Sequence, residues 1–321
     1  MGPAPPIRAE VATMQTNSVA IAILTYRRQE YLERALVSVM AQRGKVDEIL
    51  VVDNAADVAL REWLQAQFPR VRYRAMPFNG GCEGRNMALR ETRASVVLTI
   101  DDDVELVGND CVARILDAFN RNMKLACLNF KIVDSDGSVF ERDWCHPRPI
   151  AHASRAFETY FILEGECAMR REAVLSVGGY SEKFFLYHEG LDLAYRLINR
   201  GYQIKYTPEV AVVHHVAADT GRASRFYHCS VRNGIWIAYK YLPPFSALFD
   251  AVEHAAKMTF FAARAGHLRD HISGCLAAVR EIPNLRRQPL SRNSLARLKA
   301  MRAERPALIS RVKRHLREHI Q

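Results

Sequence analysis

Residues 95–103 read Ser95-Val96-Val97-Leu98-Thr99-Ile100-Asp101-Asp102-Asp103. A run of β-branched and apolar residues bounded by charge is the pattern of a strand buried in a parallel sheet. It ends in three consecutive carboxylates, whose mutual repulsion raises the free energy of the folded site. A solvated acidic turn is the competing explanation for such a triplet. The arrangement makes chemical sense when a divalent cation and a polar ligand sit at the strand's carboxyl end. Hard carboxylate oxygens suit Mg2+ or Mn2+, and these metals bridge one or two protein carboxylates to substrate phosphates. The same end of the strands is where open α/β sheets bind ligands.

Upstream, residues 18–24 form a first buried strand, followed by Thr25-Tyr26-Arg27-Arg28. Leu32, Leu36, Val39 and Met40 then have the spacing of an amphipathic helix. Residues 48–52 make a second strand ending in Asp53-Asn54, residues 57–68 a helix, and residues 71–75 a short third strand. A glycine-rich turn, Asn79-Gly80-Gly81-Cys82-Glu83-Gly84-Arg85-Asn86, opens a helix running to about residue 92. This turn lacks both the Rossmann and the Walker spacing, so alone it is a weak signal. The alternation predicts an α/β fold with a mostly parallel central sheet, flanking helices and right-handed crossovers. Thr25, Asp53 and Asp101 then converge at adjacent strand ends.

Downstream, residues 125–133 and 138–142 read as a hairpin, 143–158 as a loop over the site, and 161–170 as another strand. Residues 178–202 contain Glu189 and Asp192 at i, i+3 near the start of a helix striped by Leu193, Leu197 and Ile198. Acids there suit the positive end of the helix dipole, and a carboxylate so placed can also serve as a general base. Residues 204–206 and 211–213 flank Thr207-Pro208 as two strands, the second ending in His214-His215.

Composition bounds the class. The chain has 321 residues, is 49% hydrophobic and 25% charged, and carries a net charge of +10, which is globular rather than disordered. Residues 283–321 hold eleven Lys/Arg against two Glu, so a near-neutral body carries a basic tail. No stretch approaches the roughly 18 apolar residues of a membrane span. The start of the chain lacks a signal-peptide pattern. Seven scattered cysteines without a C-x-x-C pair argue for reduced thiols in a cytoplasmic setting.

With these motifs in order, residues 18–241 resemble the glycosyltransferases of family 2, with the nucleotide-sugar-binding fold called GT-A. The resemblance rests on 22–28, Ile49-Leu50-Val51-Val52-Asp53-Asn54, the glycine turn, the Asp triplet, Gly178-Gly179-Tyr180, Phe185-Leu186-Tyr187-His188-Glu189-Gly190-Leu191-Asp192-Leu193, and Val212-Val213-His214. A further stretch, Arg232-Asn233-Gly234-Ile235-Trp236, resembles rhamnosyltransferase-like members. It implies that Thr25 and Asp53 contact the nucleoside and that Arg85 helps bind the donor. Asp101 and Asp102 would bind ribose or a water, and Asp103 with His214 would ligate Mn2+ or Mg2+. The family usually has Glu-Asp where this chain has Glu189-Gly190, which leaves the base open between Glu189, the first choice, and Asp192. The implied activity is metal-dependent transfer, with inversion, from a nucleotide-sugar donor to a hydroxyl of a glycan or lipid-linked acceptor.

A nucleotidyltransferase of similar sheet is the rival enzyme, but it calls for glycine directly after the first strand, where Thr25-Tyr26-Arg27-Arg28 has none. A basic protein binding nucleic acid is the non-catalytic rival, and residues 283–321 offer no aromatic for base stacking. The expected organisation is a loose leader over 1–17, a catalytic domain over 18–241 and a helical extension over 242–321. Apolar stripes through Phe245, Leu248, Phe249 and Val252, and through Leu268, Ile272 and Leu276, are expected to pack on the catalytic domain or a second subunit. The basic amphipathic end, with Leu308, Val312, Leu316 and Ile320, suits peripheral contact with an anionic membrane.

Overall fold

The computed structural model describes residues 18–134, 136–139, 144, 146–215 and 222–304. The leader and the amphipathic end at 305–321, with the membrane contact expected of it, lie outside the described residues. The first half alternates as expected: β1 (Val19–Thr25), α1 (Gln29–Met40), β2 (Glu48–Asp53), α2 (Val58–Gln67), β3 (Arg72–Ala75), α3 (Glu83–Glu91) and β4 (Val96–Asp101). Then come β5 (Val104–Leu106), α4 (Cys111–Arg121), β6 (Leu125–Val133), β7 (Phe157–Glu158), β8 (Glu166–Arg170) and α5 (Arg171–Ser176). The chain continues through α6 (Glu189–Asn199), β9 (Gln203–His214), α7 (Arg222–Tyr241), α8 (Pro244–Arg264), α9 (Leu268–Glu281) and α10 (Arg292–Ala303).

The strands form one sheet in the order β3-β2-β1-β4-β8-β6-β9-β5, with β7 also on β9. The half from β3 to β4 is wholly parallel, while β8 enters antiparallel to both β4 and β6. Both faces of the sheet are buried. Ala20 and Ala22 of β1 join a core with α3, α6 and α7, whereas Val19, Ile21 and Ile23 join a second core with α1, α2 and α4. Two-sided burial is why β1, β2 and β4 read as continuous apolar runs rather than alternating ones.

Four local expectations change. Residues 161–165 are a loop, because the Asn129 side chain donates to Phe161 O (2.9 Å) and accepts from Leu163 N (2.9 Å). Residues 203–214 are a single strand, and Pro208, which has no N–H to give the ladder, falls in a register shift against β6. The described part of 143–158 does not cover the acidic tip. Trp144, His146 and Phe157 instead cluster on Tyr206 in the body of β9. Of the hairpin return at 138–142, the described part pairs as a single isolated bridge, Val139 with Val133, beside a backbone bond from Asp134 N to Ser138 O at 2.9 Å.

At the C-terminal end, α8 and α9 pack on α7 and bury Met258, Phe261 and Ala278. Their apolar stripes face outward: Phe245 is 92% exposed and Leu276 68%. The helices thus pack on the domain, but through other faces than these stripes. This corrects the part of the expectation that placed the stripes against the domain and leaves the second subunit as an expectation. Among the described residues no helix is long and apolar enough to cross a membrane.

Candidate active site

The acidic triplet lies where β4 gives way to β5. Asp101 is the last residue of β4, and β5 returns antiparallel to β9 with Val104 opposite His214. That register brings His214 Nε2 to 3.6 Å from Asp103 Oδ1, and His215 N donates to the Asp103 backbone oxygen at 2.8 Å. Two residues more than a hundred positions apart therefore meet because a three-residue strand ties their backbones together.

Each aspartate has a distinct environment. Asp101 is 27% exposed at its side chain and takes a 2.6 Å bond from Arg85 Nη2, a buried guanidinium. Asp102 is fully buried, accepting from Thr25 Oγ1 at 2.7 Å and pairing with Arg28 Nη2 at 2.8 Å. Burial pushes its carboxyl up to about 7, against the opposing pull of Arg28 and Thr25. Asp103 is 1% exposed and pairs with Arg28 Nη1 at 2.6 Å through Oδ2. Its Oδ1 is buried and accepts no hydrogen bond.

Thr25 and Asp53 turn inward. The Thr25 hydroxyl is spent on Asp102, while the Asp53 oxygens accept from Ala55 N (2.7 Å), Asp57 N (2.7 Å) and Tyr73 Oη (2.8 Å). Asp53 thus shapes the loop after β2. Beyond the carboxyl ends of β1 and β2 lies a cavity of about 380 Å3 lined by Arg27, Arg28, Gln29, Ala55, Asp57 and Leu60.

The start of α6 is built under strain. Phe185, Tyr187 and His188 all have positive φ (62°, 66° and 67°), an arrangement costly for residues with a Cβ. Two partners hold it. Cys82 N donates to Phe185 O at 2.9 Å, and this approach needs Gly81, whose φ is +57° and whose added Cβ would stand 2.4 Å from that oxygen. From α7, the buried Asn233 amide donates to Phe184 O, Leu186 O and Tyr187 O at 3.1, 2.9 and 2.6 Å. The glycine turn, the strained turn and the Arg232-Asn233 pair are thus one contact.

Glu189 and Asp192 part company here. Glu189 is 3% exposed and its Oε2 accepts no hydrogen bond. Burial, reinforced by the neighbouring Glu164 carboxylate, raises its carboxyl well above the usual range. Asp192 faces α7 instead, bonded to Arg196 Nη2 (2.7 Å), Tyr241 Oη (2.7 Å) and Lys240 Nζ. Burial pushes its carboxyl up, but Arg196 and Lys240 outweigh that and leave it lowered. Asp192 is therefore not brought to the triplet.

Arg28 and Glu164 escaped the sequence reading. Arg28 ends the 22–28 motif, where sequence alone gives it no role of its own. Glu164, in the loop before β8, lies against α6 and accepts from Gly190 N. Burial pushes its carboxyl up, and Arg85 partly opposes this. The signal for Glu164 was indirect: an acid missing at 190 leaves a gap that another acid can fill.

The layout, with a parallel half-sheet, an acidic tip beside a nucleoside-sized cavity and a helix entering with buried acids, is the fold of the GT-A glycosyltransferases. Residues 20–178 match the model described as Glycosyl transferase family 2, and the chain belongs to that family of enzymes. It is 27% identical over 246 residues to an N-acetylglucosaminyl-diphospho-decaprenol L-rhamnosyltransferase of Mycobacterium tuberculosis, covering 64% of this chain and 79% of that one. It is 23% identical over 237 residues to the low-salt glycan biosynthesis hexosyltransferase Agl10 of Haloferax volcanii, covering 68% and 74%. Among solved structures, a mannosyltransferase of Pyrobaculum calidifontis with GDP-Man and Mn2+ superposes with a TM-score of 0.55 at 18% identity, over 92% of this chain and 87% of that one. GalNAc-T7 with UDP, GalNAc and Mn2+ superposes with a TM-score of 0.56 at 13% identity, over 84% and 55%.

Proposed function

We propose that this chain is an inverting glycosyltransferase that moves a sugar from a nucleotide-sugar donor to a hydroxyl of a glycan or lipid-linked acceptor, with a divalent metal. The observation that carries this is the buried Asp103 Oδ1, which accepts no hydrogen bond and faces His214 Nε2 at the tip of β4. A carboxylate and an imidazole on one edge suit Mn2+ or Mg2+. Among the described residues no group of three or more acidic, His or Cys side chains forms a ready-made cage. This agrees with a metal whose remaining ligands are phosphate oxygens and water. When bound, the metal supplies positive charge to the departing diphosphate.

The protein's own groups divide the rest of the work. The cavity beside Arg27 and Arg28 has the size and polarity for a nucleoside, and Asp101, braced by Arg85, is the most exposed acid of the triplet. Arg28 holds Asp102 and Asp103 together in the free protein. Burial raises both the Glu189 and the Glu164 carboxyl, and the Glu164 charge adds to the effect on Glu189, so this pair of acids is the candidate acceptor of the hydroxyl proton. The relatives' names, one acting on a diphospho-decaprenol sugar and one in glycan biosynthesis, favour that acceptor class.

The test is a panel of UDP-, GDP- and dTDP-sugars, with and without Mn2+, scored for hydrolysis and for transfer, with the anomeric configuration of the product read by NMR. Metal-dependent turnover of one nucleotide class with inverted configuration is expected. No turnover across the panel, or retention of configuration, would refute the proposal.

A further inference from the structure

Gly190 stands where the family resemblance calls for an aspartate, and the structure shows why no side chain is there. A Cβ added to Gly190 would lie 2.3 Å from Glu164 Oε1, 2.6 Å from Glu164 Cδ and 2.7 Å from the Ile162 backbone oxygen. Its φ is not in the left-handed region, so backbone conformation does not demand glycine. Space demands it. The volume next to the first turn of α6 is filled by the Glu164 carboxylate, which accepts the Gly190 N–H.

The carboxylate has therefore not been lost with the aspartate; it arrives from another element. We propose that Glu164 is the catalytic base of this enzyme, the carboxylate that takes the acceptor's proton in place of an acid at position 190. The inference rests on the transfer reaction proposed above and goes further by naming the residue.

Three features support it. The loop that carries Glu164 is fixed at both ends of its reach, since Asn129 bonds Phe161 O and Leu163 N and Arg85 Nη2 donates to Glu164 O at 2.7 Å. The same Arg85 nitrogen donates to Asp101 Oδ1 at 2.6 Å, so one guanidinium sets the spacing between the donor-side strand tip and the base. Second, Glu164 keeps more exposure than Glu189, which is 3% exposed, so of the two Glu164 is the one nearer the surface. Third, the N–H of Gly190, at the positive end of the eleven-residue helix α6, stabilises a carboxylate that accepts it. Glu189, deeper and with an oxygen lacking any donor, is left with the proton.

In the reaction the acceptor oxygen forms a bond to the anomeric carbon as its O–H proton passes to the Glu164 carboxylate. The bond from the anomeric carbon to the diphosphate oxygen breaks, and its electron pair leaves with the nucleoside diphosphate.

Glu164→Gln keeps the side chain's size and leaves a carbonyl oxygen to accept the Gly190 N–H, so it removes the basicity and little else. Its kcat for transfer should fall by at least about 10^2-fold, with the Kd of the nucleotide–Mn2+ complex and the thermal midpoint close to wild type. Glu189→Gln replaces a protonated acid by a neutral amide and should keep at least about a tenth of kcat. Glu164→Gly, supplied with sodium formate, should regain part of the lost rate, which a purely structural role would not allow. Near-normal kcat in Glu164→Gln, or collapse in Glu189→Gln alone, or no formate rescue in a folded Glu164→Gly, would each overturn the assignment while wild-type transfer still upheld the reaction. Wild-type protein that neither bound nor turned over any donor would overturn both.

Discussion

Asp192 and Glu189 stand one helical turn apart, and the protein puts them in opposite electrostatic states. Asp192 is charged and paired with two cations; Glu189 is buried beside another acid and pushed toward neutrality. The distinction comes from Arg196 in the next turn of α6 and from α7, which lends Lys240 and Tyr241 to Asp192. Removing one partner from a buried ion pair leaves the other charge uncompensated, at a cost of about 3–5 kcal/mol. Lys240 is 8% exposed, so Asp192→Ala should lower stability by about that amount in urea unfolding. Unchanged stability with kcat collapsing would return Asp192 to the chemistry. Sequence spacing placed both acids on one helix face but was silent on the facing helix, which is why it left the two as alternatives.

At the scale of elements, the strained turn before α6 is held from outside. Three non-glycine residues at positive φ persist only where surrounding contacts over-determine them, and Asn233 supplies three of those contacts. Asn233→Ala should cost about 1–3 kcal/mol for the Leu186 and Tyr187 carbonyls that lose their Asn233 donor, Phe184 O keeping its bond from Arg232. It should also lower kcat by displacing the start of α6, whose Gly190 N–H holds the Glu164 carboxylate, while the Kd for donor nucleotide stays near wild type, because the strands β1, β2 and β4 do not depend on this turn. Calorimetric binding beside steady-state transfer separates the two effects, and equal kcat in the variant would dissociate the turn from catalysis. The strands of the parallel half were legible because burial on both faces leaves an unbroken apolar run, as in β4. The strand β5 was not, since three residues carry no period, and yet it is β5 that delivers His214 to Asp103. Likewise 161–165 has a strand's composition, and only the Asn129 side chain, which replaces a ladder partner, makes it the loop that presents Glu164.

Over the whole molecule, the site is assembled from both halves of one sheet. The parallel half contributes the acidic tip and the cavity, and the mixed half contributes His214, Glu164 and the entry to α6. Asp101, Asp103 and His214 were readable as candidates because carboxylates and imidazoles at strand ends have few structural uses. Thr25, Asp53 and Asp102 were readable for the same reason, but the structure turns them inward to hold loops and each other. Their burial could not be seen from the chain alone, because a polar residue that ends a strand looks the same whether it faces a ligand or a backbone amide. The outward stripes on α8 and α9 show the same limit for apolar residues, since periodicity marks a face but not what it meets.

The central claim is that a divalent metal joins Asp103 to a nucleotide diphosphate at the tip of β4. Titration calorimetry of UDP, GDP and dTDP into the full chain, with Mn2+ and with EDTA, tests it directly when repeated on Asp103→Ala. Asp103 is predicted to bind through Oδ1, which makes no hydrogen bond in the free protein. Its loss also takes a partner from Arg28, which keeps its pair with Asp102, so circular dichroism and the thermal midpoint are read beside binding to confirm that the variant is folded. Binding of one nucleotide should require Mn2+ in the wild type and disappear in a folded Asp103→Ala. Equal affinity with and without Mn2+, or undiminished Mn2+-dependent binding in the variant, would contradict the site.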